Sequence, residues 1–181
     1  MIEVEMKARL ANPAAIEQLL MSQGFVKVQY VSEQDAYFNG NNRDFRKTDE
    51  ALRIRTCEDI ETGAKENALT YKGSKLGSES QTRQEFEVVF ENSANMLAIL
   101  SALGFLKIFE VKKLRKSYSL GKITACIDHV DSLGDFLELE KLVESKEDYP
   151  EAVQELYEWL QRLEISKDSL TQLSYLELLM K

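Results

Sequence analysis

Residues 2–10 alternate without a break: Ile2, Val4, Met6, Ala8 and Leu10 are apolar, and Glu3, Glu5, Lys7 and Arg9 are charged. Such a period-two run predicts a strand with one apolar and one ionic face, because successive side chains project to opposite sides. Asn12 then offers an N-cap, Pro13 a first helical residue and Gly24 a helix stop, with Ile16, Leu19 and Leu20 as the buried stripe between them. From Phe25 to Phe38 the chain is rich in Val, Tyr and Phe, the composition of a long strand.

The same order returns about eighty residues later. Glu85-Phe86-Glu87 repeats Glu3-Val4-Glu5, a helix is predicted from about Ser93 to Leu103, and Gly104-Phe105-Leu106-Lys107 repeats Gly24-Phe25-Val26-Lys27. Val111 matches Val31 at the same offset, and Tyr37 and Tyr118 close the two long strands at nearly equal distance. Two copies in this order suggest an internal duplication with pseudo-twofold symmetry. Shorter strands are predicted at 51–58, 67–73, 82–90, 122–130 and 136–143, which brings the total to eight. Polar loops take 39–50, 59–66 and 74–81. The tail from Asp148 reads as helical. Val153, Leu156, Leu160 and Leu163 keep a 3.6-residue period, and a second helix is expected from about Lys167 or Asp168 to the end.

The strands share one peculiarity. Arg53 and Arg55 fall on one face, as do Arg83, Glu85 and Glu87, Lys113 and Arg115, and Glu138 and Glu140, with apolar residues between them. Solvated strand faces commonly mix Thr, Ser, Gln and Lys, whereas these are dominated by Arg and Glu. Helices also need an apolar sheet surface to cover, and if they cover the outside, the ionic face turns inward. The expected fold is therefore α+β: an antiparallel eight-stranded barrel, closed on itself around a charged tunnel, with helices packed outside. Residues 1–181 are read as one tunnel domain, with 148–181 a helical extension packed on the barrel.

Composition narrows the possibilities. The 181 residues carry thirty-one acids against twenty-three Lys and Arg, a formal charge of −8, with 44% apolar residues. That balance argues against binding nucleic acid or anionic membrane, and nothing approaches eighteen consecutive apolar residues. Met1–Glu5 lacks the basic start and apolar block of a signal peptide, and Cys57 and Cys126 form neither a disulfide framework nor a metal pair. A cytoplasmic location is expected. The charge is unevenly spread: residues 138–181 hold eleven acids and five bases, while residues 1–137 hold twenty acids and eighteen bases. Inward-facing Arg and Lys at low dielectric call for an anion, and Arg forks suit phosphate oxygens. Inward-facing carboxylates call for a hard divalent cation such as Mg²⁺ or Mn²⁺. Both in one cavity imply a metal–polyphosphate ligand.

Glu3-Val4-Glu5-Met6-Lys7 is the Glu-x-Glu-x-Lys signature of the CYTH superfamily, the triphosphate tunnel metalloenzymes, and the rest of the chain resembles that family in order and spacing. Asp35-Ala36-Tyr37-Phe38, Leu52-Arg53-Ile54-Arg55, Leu69-Thr70-Tyr71-Lys72-Gly73, Arg83-Gln84-Glu85-Phe86-Glu87 and Lys113-Leu114-Arg115-Lys116-Ser117-Tyr118 resemble its successive strand motifs. Asp128 and Leu133-Gly134-Asp135-Phe136-Leu137-Glu138-Leu139-Glu140 resemble its closing motif, and the length looks most like the class IV adenylyl cyclase branch. That branch also holds triphosphatases acting on thiamine triphosphate or inorganic triphosphate.

The resemblance implies Glu3, Glu5, Glu138 and Glu140 as ligands of Mg²⁺ or Mn²⁺, with Asp128 as a further metal ligand or a support. It implies Lys7, Arg53, Arg55, Lys72, Arg83, Lys113 and Arg115 as the phosphate-binding set, all but Arg83 also counted as catalytic. The partner is a small-molecule triphosphate: ATP, thiamine triphosphate or inorganic triphosphate. A second copy of the chain is left open as a further partner. Arg9 is placed either inside or at the mouth, Glu85 and Glu87 either bind metal or hold neighbouring Arg side chains in place, and Asp35 and Tyr37 are candidate interior residues. His129 should point away from the tunnel. Gly73–Ser78 lacks the spacing of a phosphate-binding loop, though the stretch 74–81 could cover a mouth. Lys112–Lys116 should split between faces. A non-catalytic polyphosphate-binding module and an unrelated barrel with its charge outside are the competing classes.

Overall fold

The computed structural model describes residues 2–75, 83–145 and 147–181. The stretch proposed as a mouth-covering loop lies mostly outside them. The elements run β1 (Ile2–Leu10), α1 (Pro13–Ser22), β2 (Val26–Gly40), β3 (Ala51–Asp59), β4 (Lys65–Lys75), β5 (Arg83–Phe90), α2 (Ser93–Ala102), β6 (Phe105–Leu120), β7 (Ile123–Val130), β8 (Gly134–Val143) and α3 (Tyr149–Arg162). A 3₁₀ turn (Lys167–Ser169), β9 (Leu170–Thr171) and α4 (Tyr175–Leu179) complete the chain.

One antiparallel sheet takes the order β5-β4-β3-β2-β6-β7-β8-β1-β9. The first eight strands divide at the β2–β6 ladder into two halves of matching connectivity, β2-β3-β4-β5 and β6-β7-β8-β1. The duplication read from Gly-Phe and Glu-x-Glu is therefore present in space. Both repeat helices start from an Asn whose side chain accepts from the backbone three residues on, Asn12 from Ala15 and Asn92 from Asn95. Both chains leave their helix through a glycine of positive φ, Gly24 at 92° and Gly104 at 85°. Val31 and Val111 are equivalently buried. The tyrosine match does not hold: Tyr37 lines the interior, while Tyr118 sits in the outer core with its hydroxyl on Glu17. The two stand one residue out of step, which in a pleated strand changes the face.

Two expectations are corrected. The sheet has nine strands, and its hydrogen-bond ladder does not close among the described residues. β1 and β5 lie against one another, but the backbone of Lys7 and Ala8 is paired with Thr171 and Leu170 of β9. The second tail helix is also not continuous. Ser166 caps the 3₁₀ turn, β9 intervenes, and a capping box between Ser174 and Glu177 starts the five-residue α4.

The helices cover the apolar outside. Leu20 of α1 and Ala152, Val153, Leu156 and Leu160 of α3 pack with Val4, Met6, Ala125, Ile127, Leu137 and Leu139. Each fully buried Leu contributes roughly 2 kcal/mol of transfer free energy, so this surface fixes which face of β1, β7 and β8 turns outward. Phe25 stands edge-on to Trp159 at 5.0 Å, tying the start of the second strand to α3. Leu100 of α2 packs with Phe38, Phe45, Leu52 and Ile54. At one end of the inner surface charge gives way to Val111, Val130 and Phe136, and Tyr175 of α4 packs onto them.

Candidate active site

Once the apolar positions face the helices, strand register decides which charges meet. β1 pairs with β8 so that Glu5 stands opposite Glu140 and Lys7 opposite Glu138. Arg115 of β6 stands opposite Asp128 of β7, Lys113 opposite Glu33 of β2, Arg55 opposite Asp35, and Lys72 opposite Glu85. Five interior cations are thus given an acid by the ladder itself. The charged side chains surround a cavity of about 570 Å³, a size suited to a small organic ligand. Glu3, Glu5, Lys7, Arg53, Arg55, Lys72, Arg83, Lys113, Arg115, Glu138 and Glu140 all line it.

The cations are held from behind. Arg115 is forked onto Asp128, with Nε 2.7 Å from Oδ1 and an NH2 contact of 2.6 Å to Oδ2, and it also reaches Glu138. Arg55 is forked onto Asp35 at 2.7 and 2.8 Å and meets Glu33 at 3.0 Å. Lys113 lies 2.9 Å from Glu33 and 3.7 Å from Asp128; Lys7 lies 2.8 Å from Glu138 and 3.0 Å from Glu5. Arg53 donates to Thr70 at 3.2 Å, and Thr70 in turn donates to Glu87 at 2.7 Å. The Nε of Arg53 is buried and makes no hydrogen bond among the described residues. Arg83 donates to the carbonyls of Asp49 and Gly73 at 3.2 and 3.3 Å.

These contacts separate two kinds of carboxylate. Burial alone would raise Glu33, but the Lys113 and Arg55 cations outweigh it and hold the group at about 2. Asp35 and Glu138 are likewise carried well below the usual carboxylate range against their burial, Asp35 by Arg55 and Arg53, Glu138 by Lys7 and Arg115. Glu3 and Glu140 go the other way. Burial, reinforced by Glu5, raises Glu3 to about 7. Burial, which the Arg115 guanidinium at 3.6 Å does not offset, and repulsion from Glu3 and Glu138 raise Glu140 to about 8. Carboxylate oxygens of Glu3, Glu5 and Glu140 lie within 4.8 Å of one another.

The five carboxylates expected to bind metal are therefore not brought into one group. Glu3, Glu5 and Glu140 converge, with an all-oxygen donor set and unneutralised repulsion that suit a hard divalent cation. Glu138 is committed to Lys7 and Arg115. Asp128 is wholly buried behind Arg115, outside the cavity lining, and accepts from the Tyr175 hydroxyl at 2.8 Å. Arg9 is exposed and donates to the Leu133 carbonyl at 3.2 Å, so it does not line the cavity. His129 is exposed against Asp135 at 2.7 Å, away from the interior. Lys112 and Lys116 face outward, the latter onto Glu17. Glu85 meets Lys72 at 2.5 Å and Glu87 meets Thr70, both acting on neighbouring side chains.

Some participants go beyond the sequence reading. Glu33 shares a strand face with Asp35 and Tyr37, and extending that alternation by two residues would have found it. Arg46 of the β2–β3 loop and Leu173–Glu177 of the tail also line the cavity. The tail was read as one helix from about Lys167 or Asp168, and nothing in its sequence marked Tyr175 as interior.

The chain belongs to the CYTH domain family, whose model matches residues 1–175. It is 42% identical over 178 residues, 98% of both chains, to a Methanocaldococcus jannaschii protein provisionally named an adenylate cyclase. A solved protein of Pyrococcus horikoshii OT3 superposes with a TM-score of 0.90 at 38% identity, covering 98% of each chain. A Hippeastrum protein, provisionally called an adenylyl cyclase and described as having a dominant triphosphatase activity, shares the fold with a TM-score of 0.64. It is 17% identical, covering 97% of this chain and 92% of that one.

Proposed function

We propose that this protein is a divalent-metal-dependent enzyme acting on a triphosphate held in the cavity, and that its reaction converts ATP to cyclic AMP and pyrophosphate. The observation that carries the reading is the Glu3–Glu5–Glu140 cluster in the same cavity as nine Lys and Arg residues. Mg²⁺ or Mn²⁺, held by those three carboxylates, would neutralise phosphate charge and activate the attacking oxygen. Lys7, Arg53, Arg55, Lys72, Arg83, Lys113 and Arg115 bind the phosphate chain. Asp35, Glu33, Asp128 and Glu138 fix several of them before substrate arrives, so little reorganisation is left when charge grows on the leaving oxygens. Asp128 and Glu138 are assigned this positioning role and not metal ligation, because their oxygens are already taken.

In the cyclase reaction the ribose 3′-hydroxyl attacks the α-phosphorus and the bond to pyrophosphate breaks. The name of the 42% identical relative and the apolar wall of Leu173, Leu176 and Met180 beside the charged surface favour a nucleotide. A second reading, hydrolysis of the terminal phosphate of thiamine triphosphate or inorganic triphosphate, uses the same cations; it draws on the activity ascribed to the Hippeastrum neighbour. The test is to incubate the protein with Mg²⁺ or Mn²⁺ and each of ATP, thiamine triphosphate and inorganic triphosphate, and to identify products. Cyclic AMP with pyrophosphate selects the cyclase and orthophosphate the hydrolase; inertness toward all three sinks both.

The carboxylate cluster also predicts how metal and pH act together. Glu3 and Glu140, at about 7 and about 8 against an ordinary 4.5, keep protons in the folded state that the unfolded chain gives up. Through these two groups the metal-free protein loses stability as pH rises from the ordinary carboxylate value to about 8. Glu33 has the opposite sign: its contribution is complete above 4.5 and is lost as pH falls toward about 2. Saturating Mn²⁺ is therefore expected to raise the thermal midpoint by about 5 °C or more at pH 8, and by clearly less at pH 6. Thermal scans at the two pH values check this, and an equal rise at both would remove the cluster as the metal site.

A further inference from the structure

Tyr175 touches three members of the charged array at once. Its ring face lies 4.5 Å from Lys7 Nζ and 5.3 Å from Lys113 Nζ, measured to the ring centroid. Its hydroxyl donates to Asp128 Oδ2 at 2.8 Å, and Asp128 is the carboxylate onto which Arg115 is forked. Phe136 backs the ring edge-on at 5.1 Å, and Leu178 and Leu179 pack against the same cluster. Tyr175 is buried, although it belongs to a five-residue helix at the end of the chain.

These contacts act on different atoms for different reasons. Asp128 has to accept from Arg115 with both oxygens to keep the guanidinium plane fixed. A third donor on Oδ2 removes the freedom of that carboxylate to turn toward Lys113, which stands 3.7 Å away. The ring offers its negative face to two ammonium groups that would otherwise repel one another across the cavity. We propose that Tyr175 is the positioning residue that sets the spacing of Lys7, Lys113 and Arg115, and so matches them to successive oxygens of a triphosphate chain. The assignment rests on the triphosphate reading above and extends it to the tail, where Tyr175 contributes to ligand affinity without itself carrying a charge.

The test measures binding of inorganic tripolyphosphate by calorimetry, with no turnover required, in the wild type, Y175F, Y175L and L179A. Y175F keeps the ring face and the packing and loses only the hydroxyl. It is expected to melt within a few degrees of the wild type and to bind about fivefold more weakly. Y175L loses both contacts and is expected to bind about fiftyfold more weakly, so that Phe recovers most of the loss. L179A removes packing from the same apolar cluster without touching a cation, and its affinity is expected to stay within about twofold. If Y175F and Y175L both bind as the wild type does, Tyr175 has no such role. If L179A loses as much affinity as Y175L, the tyrosine acts through packing alone and the proposal is overturned. Absence of tripolyphosphate binding in the wild type overturns the triphosphate reading, and the role of Tyr175 with it.

Discussion

Arg115→Ala is expected to lower the stability of the folded protein by about 3–5 kcal/mol and turnover by about a thousandfold. Both effects arise from what the guanidinium touches. It occupies both oxygens of Asp128, reaches Glu138, and stands 3.6 Å from Glu140. Without it the wholly buried Asp128 keeps, among the described residues, the Tyr175 hydroxyl and a lysine at 3.7 Å, and breaking a buried pair from one side leaves a poorly compensated charge away from water. The same deletion removes a donor from the proposed phosphate-binding array and leaves the carboxylate end of the cavity more negative, which opposes a polyanion twice over. Arg115→Lys should recover part of the stability and little of the turnover, since an ammonium cannot occupy two Asp128 oxygens in one plane while reaching Glu138. Urea unfolding and steady-state assays on both variants check this; near-normal stability of Arg115→Ala would mean that Asp128 does not depend on it.

Glu5→Gln is expected to separate folding from catalysis. Glu5 contributes a donor to the only three-carboxylate group found among the described residues, and its register partner is another member, Glu140. The amide is close to isosteric but carries no charge, so metal-dependent turnover should fall by about a hundredfold or more. The fold should persist, because Lys7 retains Glu138 at 2.8 Å. The rise in thermal midpoint produced by Mn²⁺ at pH 8 should shrink along with turnover, and the metal-free variant should be no less stable than the metal-free wild type at that pH, since a source of repulsion on Glu3 is gone. Normal turnover would take Glu5 out of the site.

The sequence made much of this molecule legible wherever one local rule was enough. Alternation in residues 2–10 dictated β1 and its ionic face. Asn12 and Gly24 bounded the first repeat helix, and Gly104 ended the second. The inward turn of the charges followed from a simple requirement, that helices cover apolar strand faces, and the packing of α1 and α3 on Val4, Leu137 and Leu139 meets it. What stayed out of reach depended on how strands lie against one another. Asp128, Glu138 and Glu140 are all inward-facing acids on neighbouring strands, and nothing in their own segments distinguishes an acid aimed at a guanidinium from one aimed at two other acids. Register makes that distinction. The tail failed for a different cause. A leucine-rich stretch with acceptable helical spacing conceals three short elements, and its turns are set by the side-chain caps of Ser166 and Ser174.

The pairing of β1 with β8 bears on how the chain is made. Glu3 and Glu5 are synthesised well before Glu138, Glu140 and Tyr175, with the whole of β2 to β7 between them. The carboxylate group and the Lys7–Glu138 contact therefore cannot exist on a nascent chain that still lacks its second repeat. Pairing β1 with β8 also closes a long loop, from Ile2 to Val143, a step whose entropic cost falls before its contacts are gained. That seam places Glu5 beside Glu140, two groups that repel. A divalent cation bound there as proposed would reward the joining of the two repeats at the same place where it would serve the proposed reaction.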